Sequence, residues 1–112
     1  LGRTDDTMNL SGIKVSAIEI ERALSTIDGL NECAAVSIPD DSGGPDKLVV
    51  FVVLTRPIED LKRTLQRVLN NRLNPLFRIA EAQQIEELPR TASNKLLRRD
   101  LRTSYLKIDK VF

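Results

Sequence analysis

The stretch that decides the fold is KLVVFVVLT, residues 47–55, which contains the longest apolar run of the chain. Between its polar ends, every residue from Leu48 to Leu54 is leucine, valine or phenylalanine. β-Branched and aromatic side chains favour strands, and an apolar run without polar alternation is typical of a strand that is buried on both faces. We therefore predict that these residues form a central strand.

A second strand is predicted just before this run. Residues 32–38 alternate and place Ala34, Val36 and Ile38 on one face, which is the pattern of a strand. The intervening PDDSGGPD, residues 39–46, is rich in residues that favour turns, so we predict a hairpin. Its Gly-Gly pair does not indicate a phosphate-binding loop, because the Gly-Lys-Ser/Thr ending and a following helix pattern are missing.

The N-terminal part predicts a smaller hairpin and a helix. Residues 7–15 alternate loosely around a Ser-Gly pair at 11–12, which indicates two short strands around a tight turn. Ser16 and Glu19 then have the spacing of a capping box, which starts a helix. The apolar stripe of this helix is Ile20, Leu24 and Ile27. Gly29 is the predicted C-terminal stop.

The C-terminal half completes an α+β pattern. We predict a helix from about Ile58 to Leu73, a strand over residues 81–88, a polar loop over 89–94 and a basic helix over 95–105. The order β-β-α-β-β-α-β-α favours a small two-layer α+β sandwich. It would have an N-terminal β-hairpin, a mainly antiparallel central sheet and about three helices.

Composition limits both fold and function. The 112 residues fit one domain with one core, since 41% are hydrophobic and 29% are charged. The net charge is +1, although basic residues crowd positions 90–102. With no histidine and one cysteine, a disulfide within the chain, a structural zinc site and a Cys-His or Ser-His catalytic pair are excluded. We interpret Cys33, which lies among apolar residues, as a buried small hydrophobic residue.

The sequence predicts an intracellular protein without a membrane span. No apolar run approaches the ~20 residues that a spanning helix needs, and no signal peptide is visible. A lone cysteine is consistent with a reducing compartment. Because the chain begins with Leu1 rather than methionine, we expect it to be a fragment.

Two polar clusters stand apart from the apolar pattern. The first combines GRTDD (residues 2–6) with LSGIK (10–14), and the second is LPRTASNKLLRR (88–99). Lys95 is unusual at a predicted helix start, because that end of a helix prefers anions. A cation beside backbone N–H groups suits a phosphate or carboxylate ligand. A solvated lysine is the alternative.

The first cluster also has purely structural explanations. Arg3 and Asp5 could form a surface ion pair worth at most ~1 kcal/mol. Gly12 could simply supply the positive φ of a turn. The residues alone leave these alternatives open.

Both clusters resemble motifs of one family. GRTDDTMNLSGIKVSAIEIE (residues 2–21) resembles the hinge-and-hairpin motif that opens the C-terminal domain of adenylate-forming enzymes, in the style of acetyl-CoA synthetase. LPRTASNKLLRR is similar to the family's final motif, which carries its adenylation lysine. The resemblance covers roughly residues 2–102. It implies that residues 1–112 are a single mobile lid domain of an acyl-CoA synthetase.

Such enzymes join a carboxylic acid to coenzyme A in two half-reactions. The acid attacks Mg-bound ATP to give an acyl-adenylate and pyrophosphate, and the thiol of coenzyme A then displaces AMP. The resemblance implies a partner, the enzyme's own large N-terminal domain, which holds the phosphate loop and the acyl pocket. We expect the isolated chain to be inactive. The compartment would be the cytoplasm or an organelle such as the peroxisome.

The resemblance also implies roles for six residues. In the first pose of the lid, Lys95 would bridge the carboxylate and the α-phosphate. Asp5 matches the hinge, and Arg3 matches an arginine that meets the nucleotide near its ribose. The residues that would face coenzyme A in the second pose are Ser11, Gly12 and Lys14. No metal ligand is implied.

Several points stay open at this stage. Lys14 stands where many relatives have arginine, and Asn94 stands where glycine usually precedes the lysine, although asparagine tolerates a left-handed backbone. Arg98 and Arg99 suit either the coenzyme's phosphates or a solvated basic helix. The lid of a peptide-synthetase adenylation domain or of a luciferase is an alternative. A small basic nucleic-acid-binding module is another, although aromatic residues for stacking are only 4% of the chain.

Overall fold

The computed structural model describes residues 7–10, 12–38 and 46–111, and side chains as far as residue 105. This part of the chain contains eight elements in the predicted order. They are β1 (Thr7–Leu10), β2 (Ile13–Ser16), α1 (Ala17–Leu24), β3 (Leu30–Ile38), β4 (Lys47–Leu54), α2 (Leu61–Arg72), β5 (Ile79–Gln84) and α3 (Arg98–Val111). The predicted α+β class, with an N-terminal hairpin and three helices, is confirmed.

The apolar run within residues 47–55 forms β4, the middle strand of the sheet β3-β4-β5. It pairs antiparallel with β3 and parallel with β5, and β1 pairs antiparallel with β2. Leu48, Val50 and Val52 point into one apolar cluster, whereas Val49 and Phe51 point into another. All five are at most 2% exposed. The prediction of a strand that is buried on both faces is confirmed.

The two clusters lie on opposite faces of the sheet, because successive side chains of a strand point to opposite sides. The first face carries the β1–β2 hairpin, α1 and α2, which contribute Met8, Leu10, Val15, Ile20, Leu24, Leu65 and Leu69 to its cluster. The second face carries the segment after β5 and α3, which contribute Leu88 and Leu101. The third helix therefore covers the face that the first two leave open.

The start of α1 follows the sequence, but its end does not. Ser16 is the N-cap, and its Oγ accepts a hydrogen bond from the Glu19 N–H at 3.2 Å. The helix ends at Leu24, before the predicted stop at Gly29. Ile27 therefore lies past the helix, where it packs half-buried against the first cluster. The helical spacing of apolar residues therefore continued past the end of α1, because the turn after the helix packs Ile27 against the same cluster.

The boundaries of β5 and α2 also differ from the prediction. α2 begins at Leu61 rather than Ile58. β5 covers Ile79–Gln84 rather than 81–88. The side chain of Gln66 on α2 accepts a hydrogen bond from the Ile79 N–H at 2.7 Å and donates one to the Phe77 carbonyl at 2.9 Å. The Gln66 amide therefore fixes the chain at the start of β5. Apolar patterns in the sequence do not predict such a contact.

Candidate functional site

The residues around Lys95 form a tight turn instead of the predicted helix start; α3 begins three residues later. Arg90 and Leu96 form an isolated antiparallel bridge, and residues 90–96 are called the Lys95 turn below. The Asn94 N–H donates to the Thr91 carbonyl at 2.8 Å, and the Thr91 N–H donates to the Lys95 carbonyl at 2.8 Å. The Lys95 N–H donates to Thr91 Oγ1 at 3.0 Å. The backbone on either side of the lysine is therefore fixed.

Two further features hold this turn. Asn94 has a φ of +70°, in the left-handed region where asparagine is tolerated and most residues are strained. Its carbonyl accepts a hydrogen bond from Arg90 Nη1 at 3.3 Å. Arg90 also lies 3.6 Å from the Glu32 carboxylate at the start of β3. Asparagine thus occupies a position whose conformation suits glycine. This agrees with the expectation that asparagine can replace the glycine that usually precedes the lysine.

The side chain of Lys95 points away from this frame. It is exposed, and it has neither an ion-pair partner nor a side-chain hydrogen bond among the described residues. A lysine ammonium is a compact charge on a flexible four-carbon stem. Because its turn is fixed and its ammonium is exposed, Lys95 can present a positive charge to an anion that is bound outside this domain.

The hairpin tip has the opposite character. Gly12 is exposed with a φ of +82°, and a Cβ added there would meet no atom of the described residues within 4 Å. Lys14 is exposed on β2, opposite Asn9 of β1. Gly12 therefore presents backbone without a side chain, two residues before an exposed cation.

The structure does not bring these two turns together. The hairpin packs on the first cluster through Leu10 and Val15, whereas the Lys95 turn packs on the second through Leu96. Because the clusters lie on opposite faces of the sheet, the hairpin tip and Lys95 lie on opposite sides of the domain. Arg3, Asp5 and Ser11 lie outside the described residues, so their predicted roles stay predictions.

Arg98, which the sequence assigned either to a phosphate or to solvent, lies in an ion pair. Its Nη2 lies 2.7 Å from both carboxylate oxygens of Glu21 on α1, and its Nε lies 3.2 Å from Oε2. The two side chains are 16% and 17% exposed. Arg102 is also engaged, since its Nε donates to the Ser37 carbonyl at 2.9 Å. Two of the C-terminal basic residues are therefore used inside the fold, while Arg99 is exposed.

Cys33 is a structural residue. It is half-buried, and its Sγ lies 3.7 Å from the carbonyl oxygen of Glu21. Burial, followed by the nearby Glu21 charge, raises the pKa of the Cys33 thiol to about 12. The thiol is therefore protonated near neutral pH and is a poor nucleophile.

Sequence reasoning missed two contacts of this region. The bond from the Lys95 N–H to Thr91 could have been found, because threonine often hydrogen-bonds nearby backbone in turns. The pair of Glu21 with Arg98 spans 77 positions, and no local pattern reports a contact at that distance. Glu21 also sits beside an apolar stripe, where its spacing predicts only a helix surface residue.

Comparison with known families decides the assignment. The family described as the AMP-binding enzyme C-terminal domain matches residues 19–95, more than half of the chain. The chain belongs to this family. Lys95 is the last residue of the matched range, and Glu21 lies near its start.

Similar curated proteins carry related descriptions. The chain is 49% identical over 107 residues to the "probable acyl-activating enzyme 18, peroxisomal" of Arabidopsis thaliana, a match that covers 90% of this chain. It is 42% identical over 111 residues to the hexanoyl-CoA synthase of Cannabis sativa, with 93% of this chain covered. In both cases this AMP-binding C-terminal domain spans only 15% of the relative's length.

A solved structure has the same fold. The domain superposes on an acyl-CoA synthetase of Brucella canis with a TM-score of 0.83 at 27% identity. The match covers 97% of this chain and 20% of that chain.

In the described part of the domain, every helix is too short or too polar to span a bilayer. The described residues also contain no group of three or more His, Cys, Asp or Glu side chains that could hold a metal ion.

Proposed function

We propose that this domain is the mobile C-terminal lid of an acyl-CoA synthetase. The whole enzyme would convert a carboxylic acid, ATP and coenzyme A to acyl-CoA, AMP and pyrophosphate through an acyl-adenylate. The observation that carries the proposal is the Lys95 turn, which holds an exposed lysine, without a side-chain partner in the described part of the chain, on a backbone fixed by four hydrogen bonds. Membership of the family supports it.

In the first half-reaction, Lys95 acts as an electrostatic catalyst. A carboxylate oxygen of the acid attacks the α-phosphorus of Mg-bound ATP, and the bond from that phosphorus to pyrophosphate breaks. The Lys95 ammonium lies between the carboxylate and the α-phosphate and stabilises the negative charge that gathers there. A preorganised donor of this kind contributes about 10²–10³-fold to the rate.

In the second half-reaction, the hairpin tip replaces the Lys95 turn at the active site. The thiol of coenzyme A attacks the acyl carbonyl and releases its proton to solvent. The bond from the acyl carbon to the phosphate oxygen breaks, and AMP leaves with its electron pair. Gly12 lets the pantetheine arm pass close to the backbone, and Lys14 offers a charge to a phosphate. A rotation about Asp5 exchanges the two surfaces, Arg3 contacts the nucleotide, and Ser11 faces the coenzyme. The location of the hairpin and the lysine on opposite faces supports such an exchange.

The remaining parts of the active site belong to a larger protein. The chain spans 15% of the curated relatives that it matches, which supports a large N-terminal domain that supplies the phosphate loop and the acyl pocket. Residues 1–112 form one domain in this proposal, and alone they turn over nothing. The hexanoyl-CoA synthase makes hexanoate the first acid to test, and the acetyl-CoA-synthetase style of residues 2–21 adds acetate. The name of the Arabidopsis relative favours the peroxisome over the cytoplasm as the compartment.

The test measures the half-reactions of the full-length protein separately. Acid-dependent exchange of labelled pyrophosphate into ATP reports adenylation, with acetate and hexanoate as the first acids. Thioester formation is then followed with and without coenzyme A. Activity that needs coenzyme A supports the proposal. Exchange that needs an amino acid and loads a carrier protein would favour the peptide-synthetase alternative, and oxygen-dependent light emission would favour a luciferase.

A further inference from the structure

We propose that the ion pair between Glu21 and Arg98 positions Lys95 for adenylation by anchoring the base of the Lys95 turn to α1. The inference rests on the proposed role of Lys95, and it assigns a function to two residues that touch no substrate. Glu21 and Arg98 are positioning residues in this account. The lysine is the catalytic residue.

The geometry of the pair is that of a strong contact. Arg98 Nη2 donates to Glu21 Oε1 at 2.7 Å and Nε donates to Oε2 at 3.2 Å, and a fork of two donors and two acceptors fixes direction as well as distance. Both side chains are more than four-fifths buried. Partial burial reduces screening by solvent, so the pair holds its geometry better than a surface pair does.

The carboxylate is itself held in place. Glu21 Oε2 also accepts a hydrogen bond at 2.8 Å from the N–H of Ala35 on β3. Three elements therefore meet at one side chain: α1 carries it, β3 donates to it and α3 is fixed by it. Glu21 thus fixes Arg98, the first residue of α3, relative to the sheet.

The path from Arg98 to Lys95 is short and stiff. Only Leu96 and Leu97 separate them, and both are half-buried. The Leu97 N–H donates to the Pro89 carbonyl at 2.9 Å, which ties the two stems of the turn together. A shift at Arg98 must therefore move the turn that carries Lys95.

A comparison pair elsewhere in the domain provides a control. Arg56 and Asp28 approach to 2.6 Å, but their side chains are 58% and 87% exposed. They join two loops, and within the described residues no hydrogen bond or ion pair links them to the Lys95 turn. An arginine of this kind contributes little stability, so its removal measures the effect of losing an ion pair without losing the anchor.

The experiment uses the full-length enzyme with Arg98→Met, Arg98→Lys and the control Arg56→Met. We expect Arg98→Met to lower kcat for pyrophosphate exchange about tenfold or more, because small misplacement of a catalytic group is costly. KM for ATP and acid should change less than threefold, and so should thioester formation from supplied acyl-adenylate. Arg98→Lys keeps the charge but loses the fork, so its kcat should be intermediate. Arg56→Met should match wild type.

A double variant separates positioning from general damage. If Arg98 acts through Lys95, Arg98→Met causes no further loss of adenylation in a Lys95→Ala background. An equal loss of both half-reactions, or effects that multiply in the double variant, would overturn the inference. Glu21→Gln retains an acceptor for Ala35, and it replaces Arg98→Met if that variant does not fold. Full adenylation by Lys95→Ala alone would instead refute the proposed function.

Discussion

The hairpin tip and the Lys95 turn solve a similar backbone problem in different ways. Among the residues that the structure describes, each contains one with positive φ, Gly12 at +82° and Asn94 at +70°. A Cβ at Gly12 would meet none of the described atoms within 4 Å. The Lys95 turn is held by the Thr91 hydroxyl and the Arg90 guanidinium. One turn leaves space beside bare backbone, while the other fixes the base of a flexible cation.

This difference matches the two tasks that we propose. A pantetheine arm needs room to pass, which a side chain would remove. A bridging ammonium needs a defined origin, because its own stem is flexible. The largest difference between the two regions should therefore appear when the half-reactions are measured separately.

Replacement of Lys95 by alanine should have the largest effect. We expect adenylation by the full-length enzyme to fall about 10²–10³-fold, because the charge that stabilises the transition state is lost. Pyrophosphate exchange measures this loss. The matched control is Lys62→Ala, which removes another exposed lysine from α2. A loss of similar size in the control would show that the effect is not specific to Lys95.

Replacement of Gly12 by leucine should produce the converse defect. We expect thioester formation from supplied acyl-adenylate to fall about tenfold, since the added side chain enters the space proposed for pantetheine. Gly12→Ala adds only a Cβ at the same left-handed position, φ +82°, so it controls for backbone strain of ~1–2 kcal/mol without the bulk of leucine. Unchanged thioester formation in Gly12→Leu would contradict the assignment of the hairpin.

Asn94 tests the backbone of the Lys95 turn. Asn94→Val should destabilise the chain by about 1–2 kcal/mol, because a β-branched residue is strained at positive φ. Asn94→Gly should be near neutral, since glycine adopts this conformation freely. Urea denaturation of the 112-residue chain measures both. Equal stability of the two variants would mean that the turn relaxes to another conformation.

The Thr91 hydroxyl should have the smallest effect. Thr91→Val removes the acceptor of the Lys95 N–H, and we expect a loss of about 1 kcal/mol in the same denaturation experiment. Ser93→Ala removes the hydroxyl that contacts Thr91 but leaves the bond to Lys95. It should cost less than half as much. If Ser93→Ala lowered the free energy of unfolding more than Thr91→Val does, the Ser93 hydroxyl would be the one that stabilises the turn.

Much of the fold was predictable because its signals are local. The unbroken apolar run specified β4, and Ser16 with Glu19 specified the start of α1. The predicted boundaries failed where an apolar spacing continued past an element, or where a side chain bonded the backbone outside one. Ile27 continued the helical spacing beyond the end of α1, and Thr91 used the Lys95 N–H in a turn instead of a helix.

The candidate site was only partly predictable. The exposure of Lys95 and the left-handed backbone of Asn94 follow from motif and residue type. The contact between Glu21 and Arg98 depends on the packing of α1 and α3 around the edge of β3, which emerges only in three dimensions. The hinge and nucleotide residues lie outside the described part of the chain and stay predictions.

The central claim is that the Lys95 turn serves adenylation and the hairpin tip serves thioester formation. Its most direct test is the ratio of these two rates, measured on the same preparations of Lys95→Ala and of Gly12→Leu. Relative to wild type, the ratio of adenylation to thioester formation should fall about a hundredfold or more in the first variant and rise about tenfold in the second. Ratios that stay within twofold of wild type in both variants, with the two rates falling in parallel, would contradict the account.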